Sequence, residues 1–448
     1  MNNTPTKDRA GYVDKLIDDA TQSLSRDEVL LVAIGGETSN FVRFNHTLVR
    51  QAGSVDQMHA SIDLSSGQRH CSMTVGLSGE LDSDTAVFAS AIDRLREQRE
   101  AVPDDPYFMY ATEVSSTSQV NPGTIPGGDE IVDTIGGLAE GTDLVGIWAA
   151  GEQFSAFANS LGQRNWFSST TFNLDWSLYL RADKATKQQY AGFDWSTEVF
   201  ERKLAEQRAH LAILERDPVV LAPGDYRAFL SAAATNEIVS MLMWGGFGIR
   251  SHRTTDSPLV KMTSEGRTLS PMVTISEDTT NGVAPNFESK GFMRPATVPL
   301  ITDGAFVQPL VSPRSSREYD VATNGANSDE SPASVSMLGG DLDTSSVIGA
   351  LDTGLLISNL WYLNFSDRPN CRMTGMTRFA TFWVENGEVV APVAPMRFDD
   401  SAYGLLGDRL VALTSEAELT LDPFSYGARS TESSRLPGAL VNDMRFTL

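Results

Sequence analysis

The chain has 448 residues, which is more than one ordinary core accommodates, and its 41% hydrophobic content is normal for a globular protein, so two or three domains are expected. Its formal net charge of −23 argues against nucleic acid or an anionic membrane as the main partner, because binding to phosphate groups needs clustered Lys and Arg. The acidic surface is most simply interpreted as one that keeps the protein in solution.

Targeting signals and cysteine usage together predict a cytoplasmic protein. No apolar run approaches the ~20 residues that are needed to span a bilayer. Residues 1–5 are polar and lack the apolar core of a signal peptide. Cys71 and Cys371 are far apart in sequence and form neither a disulfide framework nor a CxxC metal knuckle, so reduced thiols are expected.

The first unit, residues 1–102, is predicted to be an N-terminal α+β domain that forms an α/β layer. Its first strand is expected to stop at Gly35 and Gly36. The predicted elements are a helix near Asp8–Ser23, strands near Glu28–Ile34, Asn40–Phe44, Gln57–Leu64 and His70–Leu77, and a helix over Asp82–Glu100. His59 and His70 have no partner at metal-ligand spacing and are interpreted as surface or hydrogen-bonded histidines.

A second unit, residues 103–220, is predicted to be a middle α+β domain that begins at the Pro-rich stretch Pro103–Pro106. Ser115–Asp129 is expected to be a polar loop, followed by a short helix and a strand over Leu144–Ala158. Asn159–Gly162 is typical of a hairpin turn, because Asn and Gly tolerate positive φ. A further helix is predicted from Asp194 onwards, where apolar residues recur at helical spacing.

One long helix is predicted over Asp225–Gly246, at the entry to the third unit. Asp225 is its expected N-cap, and Gly245-Gly246 is expected to end it. Nearly every residue between these caps is apolar or small, which indicates a buried helix. Glu237 is the exception, and a buried carboxylate needs a partner because an unpaired buried charge costs several kcal/mol or shifts its pKa.

The third unit, residues 221–448, is predicted to be a large β-rich domain that is entered through this buried helix. After Gly246 the sequence predicts strands, turns and loops only. The residues over Asn324–Ser336 are mainly Asn, Ser, Asp and Pro, which favours a mobile loop that orders against a partner. The fold class is therefore α+β.

The segment Asn236–Met241 resembles the HExxxH helix of the TldD/TldE (PmbA) peptidase family, with the Glu retained and both His positions replaced. Further segments resemble the third domain of that family in their order along the chain: Gly266–Asp278, Gly291-Phe292, Ala296–Thr302, Ser315–Arg317, Thr353–Ser358 and Thr381–Val389. The Asn159–Gly162 turn resembles another family feature. In the TldD branch the two His and a distant Cys hold a metal.

The resemblance implies that the metal-ligand positions here are Asn236, Met241 and Arg378. None of them offers the imidazole or thiolate that a hydrolytic zinc site takes, and a guanidinium does not deprotonate to bind a metal. The chain is thus similar to the TldE branch, with a degenerate metal site. We expect no cofactor in this chain and a zinc in a TldD-like partner.

A second candidate site is the stretch Asn364–Arg378, which is predicted to be a hairpin loop and places three arginines in an otherwise acidic chain. Arg368, Arg372 and Arg378 are candidates to pair with Glu237 or to receive a peptide carboxylate, beside the family-like turn at Thr374 and Gly375. The alternative is a solvated hairpin with ordinary surface salt bridges, each worth ~0–1 kcal/mol.

Two functions follow as hypotheses. The first is a TldE-like non-catalytic subunit, a homodimer when alone, that joins a TldD-like catalytic subunit in a metallopeptidase complex acting on short or unfolded peptides. It would dock the peptide by strand addition to a sheet edge. The second is a self-sufficient hydrolase that uses Glu237 as general base with a non-standard metal, or Cys371 as nucleophile.

Overall fold

The computed structural model describes residues 8–182 and 184–448. Over these residues the chain forms two sheets with helices packed against them, so the predicted α+β class is confirmed. The predictions made on residues 1–5 lie outside the described residues. Within the described residues no helix is long and apolar enough to cross a membrane.

The first sheet is seven-stranded, in the order β3-β2-β1-β5-β6-β4 with β7 paired to β6. Its strands are β1 (Glu28–Asn45), β2 (Leu48–Ser66), β3 (Arg69–Leu77), β4 (Thr117–Asn121), β5 (Asp143–Asn159), β6 (Arg164–Arg181) and β7 (Lys184–Gly192). Its helices are α1 (Arg9–Thr21), α2 (Leu81–Ala101), α3 (Gly128–Leu138) and α4 (Thr197–Leu214). The helices agree with the apolar periodicity of the sequence.

Alternation along the strands gives this sheet two different faces. On β1, Ile34 belongs to the apolar cluster beneath α1 and α2. Val42, further along the same strand, belongs to the cluster beneath α3 and α4. Glu37 and Ser39 have the opposite parity and therefore point to the other side. We call this other side, in the middle of the sheet, the polar face.

Two predictions for this half were wrong. β1 does not stop at Gly35 and Gly36 but continues to Asn45, because both glycines pair with β2 and β5 on either side. A Cβ on Gly36 would lie 2.5 Å from the carbonyl oxygen of Gln57, so this close approach of two strands requires glycine. The predicted polar loop Ser115–Asp129 contains β4, which pairs with β6.

The predicted boundary between residues 102 and 103 falls within the elements of one sheet, because β1 to β3 precede it and β4 to β7 follow it. The division into 1–102 and 103–220 remains a prediction. The turn at Asn159–Gly162 joins β5 to β6 as predicted, with Gly162 at φ +100. The Asn159 side chain accepts hydrogen bonds from the backbone N–H groups of Leu161 and Gln163.

The second sheet is eleven-stranded and holds the largest core. Its strands are β8 (Gly224–Leu230), β9 (Ile275–Asp278), β10 (Thr297–Thr302), β11 (Ala305–Phe306), β12 (Ser334–Met337), β13 (Gly354–Asp367), β14 (Arg372–Glu385), β15 (Glu388–Pro392), β16 (Arg397–Ser401), β17 (Leu410–Leu421) and β18 (Ser433–Phe446). Five of them, β8, β13, β14, β16 and β18, pair in a closed ring, because β18 also pairs with β8.

Five short helices accompany this sheet: α5 (Ala232–Met243), α6 (Ile249–Arg253), α7 (Val260–Ser264), α8 (Pro313–Tyr319) and α9 (Val347–Leu351). The expectation of only strands, turns and loops after Gly246 was therefore wrong. The predicted mobile loop over Asn324–Ser336 was wrong as well, because the buried Glu330 accepts hydrogen bonds from the backbone N–H groups of Arg250 and Ser312. These bonds fold the segment against its own chain.

The predicted helix over Asp225–Gly246 is a strand followed by a helix. Asp225 lies in β8 and accepts from Arg445 of β18, while Ser231 is the N-cap of α5 and accepts from Ala234. The first residues form a strand because β13 and β18 pair with them on both sides. Gly245, at φ +77, follows the helix as predicted.

Candidate functional site

α5 has one face in the core and one face toward solvent. Ile238 and Leu242 pack into the core of the second sheet. Asn236 is half-buried, while Glu237 and Ser240 are exposed. These three polar residues share one side of the helix, which is the side that the family resemblance marks.

Glu237 is exposed rather than placed in the core, so the prediction of a buried carboxylate was wrong. The surrounding protein nevertheless raises its pKa above the usual range by partial burial, with Lys187 acting against that rise. Lys187 belongs to β7, so this side of α5 lies near the first sheet.

The expected arginine partner of Glu237 is not found. Over residues 8–182 and 184–448, no hydrogen bond or ion pair reaches its carboxylate, and Lys187 is itself paired with Asp175 at 2.7 Å. Arg368 donates to the backbone carbonyls of Trp244 and Asp256 instead. The carboxylate is therefore free to accept a proton or a hydrogen bond from a ligand.

The three predicted metal-ligand positions have separate surroundings. The Asn236 amide oxygen accepts from the Ser434 hydroxyl at 2.7 Å. Met241 is 7% exposed and packs in the core. Arg378 is exposed on β14 and stacks 5.5 Å from the ring of Trp361. Their correspondence to one lost metal site remains a prediction.

The donor set near α5 does not fit a hydrolytic zinc ion. Such a site takes three protein ligands, usually imidazole, carboxylate or thiolate. Here the helix offers an amide that is already hydrogen-bonded and a thioether in the core. Among the described residues, no group of three or more His, Cys, Asp or Glu is placed to hold a metal.

The predicted arginine-rich hairpin is shorter than expected, because Arg378 lies inside β14. Arg372 pairs with Asp399 at 2.5 Å rather than with Glu237. Arg368 lies between the rings of Trp244 and Phe365, 5.3 and 4.8 Å from their centroids. Of these arginines only Arg378 has no carboxylate within ion-pair distance among the described residues.

Thr374 and Gly375 are strand residues with structural contacts. The Thr374 hydroxyl donates to the backbone carbonyl of Phe398 and accepts from Arg397. A Cβ on Gly375 would lie 2.8 Å from the Phe398 ring, so the close packing of β14 on that ring requires glycine. Binding of peptide by these two residues and by the arginines remains a prediction.

The structure contradicts Cys371 as a nucleophile. Its side chain is fully buried in the core of the second sheet. Burial raises the pKa of its thiol to about 12, so the thiolate is not populated at neutral pH. This removes one form of the self-sufficient hydrolase.

A contact that the sequence did not reveal lies on the polar face. From the last residue of β17 the chain crosses this face over residues 421–430, which we call the crossing segment. The guanidinium of Arg429 donates to the backbone carbonyls of Gly151 and Thr171, both at 3.1 Å, and to the Thr171 hydroxyl at 2.6 Å. Burial lowers the pKa of Arg429 to about 10, and the charge of Glu37 acts against this fall, so the side chain stays cationic at neutral pH.

Glu37 is the carboxylate of this contact and is 2% exposed. It accepts hydrogen bonds from the Ser39 hydroxyl at 2.6 Å, from the Gln57 amide at 2.8 Å and from the backbone N–H of Arg429 at 3.2 Å. The one available signal in the sequence was a carboxylate directly after the run of apolar and glycine residues 29–36 in β1. Nothing in the sequence paired it with a residue 392 positions away.

These features define an α+β protein whose β-rich half carries the helix α5 with one polar, solvent-facing side. Residues 223–448, half of the chain, match the model of the PmbA/TldA metallopeptidase C-terminal domain. The chain therefore belongs to the PmbA/TldD family. No curated protein matches it by sequence.

Solved structures share the fold over almost the whole chain. TldE from Thermococcus kodakarensis superimposes with a TM-score of 0.76 at 14% identity, covering 98% of this chain and 100% of that one. A proposed modulator of DNA gyrase from Thermotoga maritima gives 0.74 at 12% identity, covering 98% and 99%. A second proposed modulator, from Bacteroides thetaiotaomicron, gives 0.73 at 16% identity, covering 99% of each chain. Identities this low establish the fold alone.

Proposed function

We propose that this chain is a TldE-like, non-catalytic subunit that works with a TldD-like catalytic subunit on short or unfolded peptides. The carrying observation is the helix α5, where Glu237 keeps the carboxylate of the family motif while Asn236 and Met241 replace its histidines. Met241 packs into the core, so its sulfur does not lie on the exposed side of α5 that carries Glu237.

In this proposal the metal and the attack on the peptide bond belong to the partner, because the residues here do not fit zinc. The role of this chain is to hold the peptide. Glu237 is exposed to solvent and can accept hydrogen bonds from a peptide backbone. The subunit would act in the cytoplasm and pair with itself when the partner is absent.

The test is reconstitution. The purified chain should contain no stoichiometric zinc and show no chelator-sensitive peptidase activity, and light scattering should give a dimer. Co-expression with a TldD-like chain should give a heterodimer that cleaves peptides and loses activity with a chelator. One zinc per chain, removed together with peptidase activity of the isolated protein, would refute the proposal. A monomer that ignores the added TldD-like chain would refute the assembly.

One observation favours a second candidate, a hydrolase that uses Glu237 with a non-standard metal. Glu237 is solvent-accessible and its pKa is raised, and both properties suit a general base or acid. Replacing Glu237 by Gln separates the two candidates. The hydrolase requires that cleavage by the isolated chain exists and is abolished, whereas the subunit proposal expects no cleavage by either protein.

A further inference from the structure

The polar face carries a row of side-chain amides. Gln57, Gln153, Asn173 and Gln189 lie on β2, β5, β6 and β7, one on each strand. Glu37 of β1 is paired with Gln57 on one neighbouring strand and with Gln153 on the other, so these side chains share one face. Asn173 lies on the same side of β6, opposite to the core residue Phe172.

Each of these amides donates to a main-chain carbonyl of the crossing segment. Gln57 donates to Gly427 at 2.5 Å, and Gln153 donates to Arg429 at 2.9 Å. At the other end of the segment Gln189 donates to Leu421 at 2.6 Å, and Asn173 donates to Leu421 and Asp422, both at 3.4 Å. All these contacts recognise backbone carbonyls and are independent of the sequence that supplies them.

Beyond Leu421, which is buried as the last residue of β17, few side chains of the crossing segment are held. Phe424 and Tyr426 are 64% and 89% exposed. The guanidinium of Arg429 donates to two carbonyls and the Thr171 hydroxyl of the sheet, and the charge of Glu37 favours its cationic form. The segment is therefore bound as a peptide would be, through its backbone and one cationic anchor.

We infer that the polar face is a binding site for an extended peptide that carries an arginine, and that the crossing segment occupies this site in the isolated chain. The amides bind the backbone, and the carbonyls of Gly151 and Thr171 together with the Thr171 hydroxyl bind the guanidinium. An incoming peptide displaces the segment, whose two ends stay tethered to β17 and β18. That the peptide is a substrate of the complex rests on the proposed function; the binding itself does not.

The segment competes with any added peptide because its tether gives it a high effective concentration. Removing its anchor should therefore expose the site. The probe is a fluorescent decapeptide that copies residues 421–430, added to the full-length chain without metal or partner, with binding measured by anisotropy. The Arg429→Ala variant should bind it at least about tenfold more tightly than the natural chain does.

Two controls make this result specific. A decapeptide with Ala in place of its arginine should bind the Arg429→Ala variant at least about tenfold more weakly, because the buried acceptors that hold the guanidinium then lack a donor. The variant Arg50→Ala removes an exposed arginine of β2 and should bind as the natural chain does. Equal binding of both decapeptides, or no gain in a folded Arg429→Ala variant, would overturn the inference.

A second measurement covers an Arg429→Ala variant that fails to fold. The double variant Gln153→Ala, Gln189→Ala removes two backbone contacts and leaves the cation in place. Limited chymotrypsin cleavage after the exposed Tyr426 should be accelerated about tenfold or more, since each lost hydrogen bond favours release of the segment. An unchanged cleavage rate would overturn the inference.

The outcomes separate this inference from the proposed function. Decapeptide binding by the Arg429→Ala variant, together with a reconstituted complex that has no peptidase activity, would keep the binding site and reject the subunit role. An active complex whose subunit never binds the decapeptide would keep the subunit role and reject the binding site.

Discussion

Two carboxylates lie in opposite surroundings in this molecule. Glu237, on α5, is the residue that the family motif marks, and it is exposed with no hydrogen bond to any described residue. Glu37, on the polar face, belongs to no motif and is 2% exposed with three hydrogen bonds. The residue singled out by resemblance is the less constrained of the two.

This difference shows that the polar contacts of the fold are concentrated around the buried carboxylate. A buried charge is stable only when donors surround it, so the donors around Glu37 and the acceptors around Arg429 must be kept together. An exposed carboxylate has no such requirement. Mutations that act on the two regions should therefore differ in size and in kind.

The largest expected effect concerns the core side of α5. Met241→Ala should lower the free energy of unfolding by about 2–5 kcal/mol, because it leaves a cavity in the core of the second sheet. Met243→Ala, at a half-buried position of the same helix, is the matched control and should cost less. Denaturant unfolding gives both values. A Met241→Ala variant as stable as the natural chain would contradict the placement of this residue in the core.

An intermediate effect is expected on the polar face. Glu37→Ala should cost about 1–3 kcal/mol, because the Gln57 amide and the backbone N–H of Arg429 lose their acceptor. Asp56→Ala is the control, since Asp56 is an exposed partner of Arg9 and an exposed pair is worth ~0–1 kcal/mol. Equal losses in the two variants would remove the contrast between buried and exposed carboxylates.

Much of the fold could be predicted from the sequence because its signals are local. The helix α2 and the strand β5 follow from periodicity and turn residues over short windows. The boundary between β8 and α5 could not be predicted, because a continuous apolar run fits a buried strand and a buried helix equally well. Only pairing with Arg445 of β18 makes Asp225 a strand residue.

The site could be predicted in part for the same reason. The resemblance located α5 and Glu237, because a motif within one helix is local. It could not give the exposure of Glu237, which depends on the distance between α5 and β7. The contact between Glu37 and Arg429 joins residues 392 positions apart, and only the folded chain brings them together.

The smallest expected effect is that of Glu237→Gln, and the pH dependence of this effect tests whether the pKa of Glu237 is raised. The pKa of Glu237 is raised in the folded chain by burial, so the folded protein disfavours the charged form. The charged carboxylate therefore lowers the free energy of unfolding. This loss is absent below the ordinary glutamate pKa of ~4.3 and develops as the pH rises from there to the pKa of the folded chain. Above that pKa the loss is constant. Because the side chain is exposed, we expect Glu237→Gln to stay within about 0.5 kcal/mol of the natural chain at neutral pH, with any difference favouring the variant.

Unfolding measured from pH 4 to pH 8 checks this sign. Glu201→Gln, on the exposed side of α4, is the control for removing one negative charge from an acidic chain. A loss of about 3–5 kcal/mol in Glu237→Gln at neutral pH would instead be the signature of a broken buried ion pair. It would mean that Glu237 has a cationic partner in solution. Glu237 would then no longer be the unpaired carboxylate of the two.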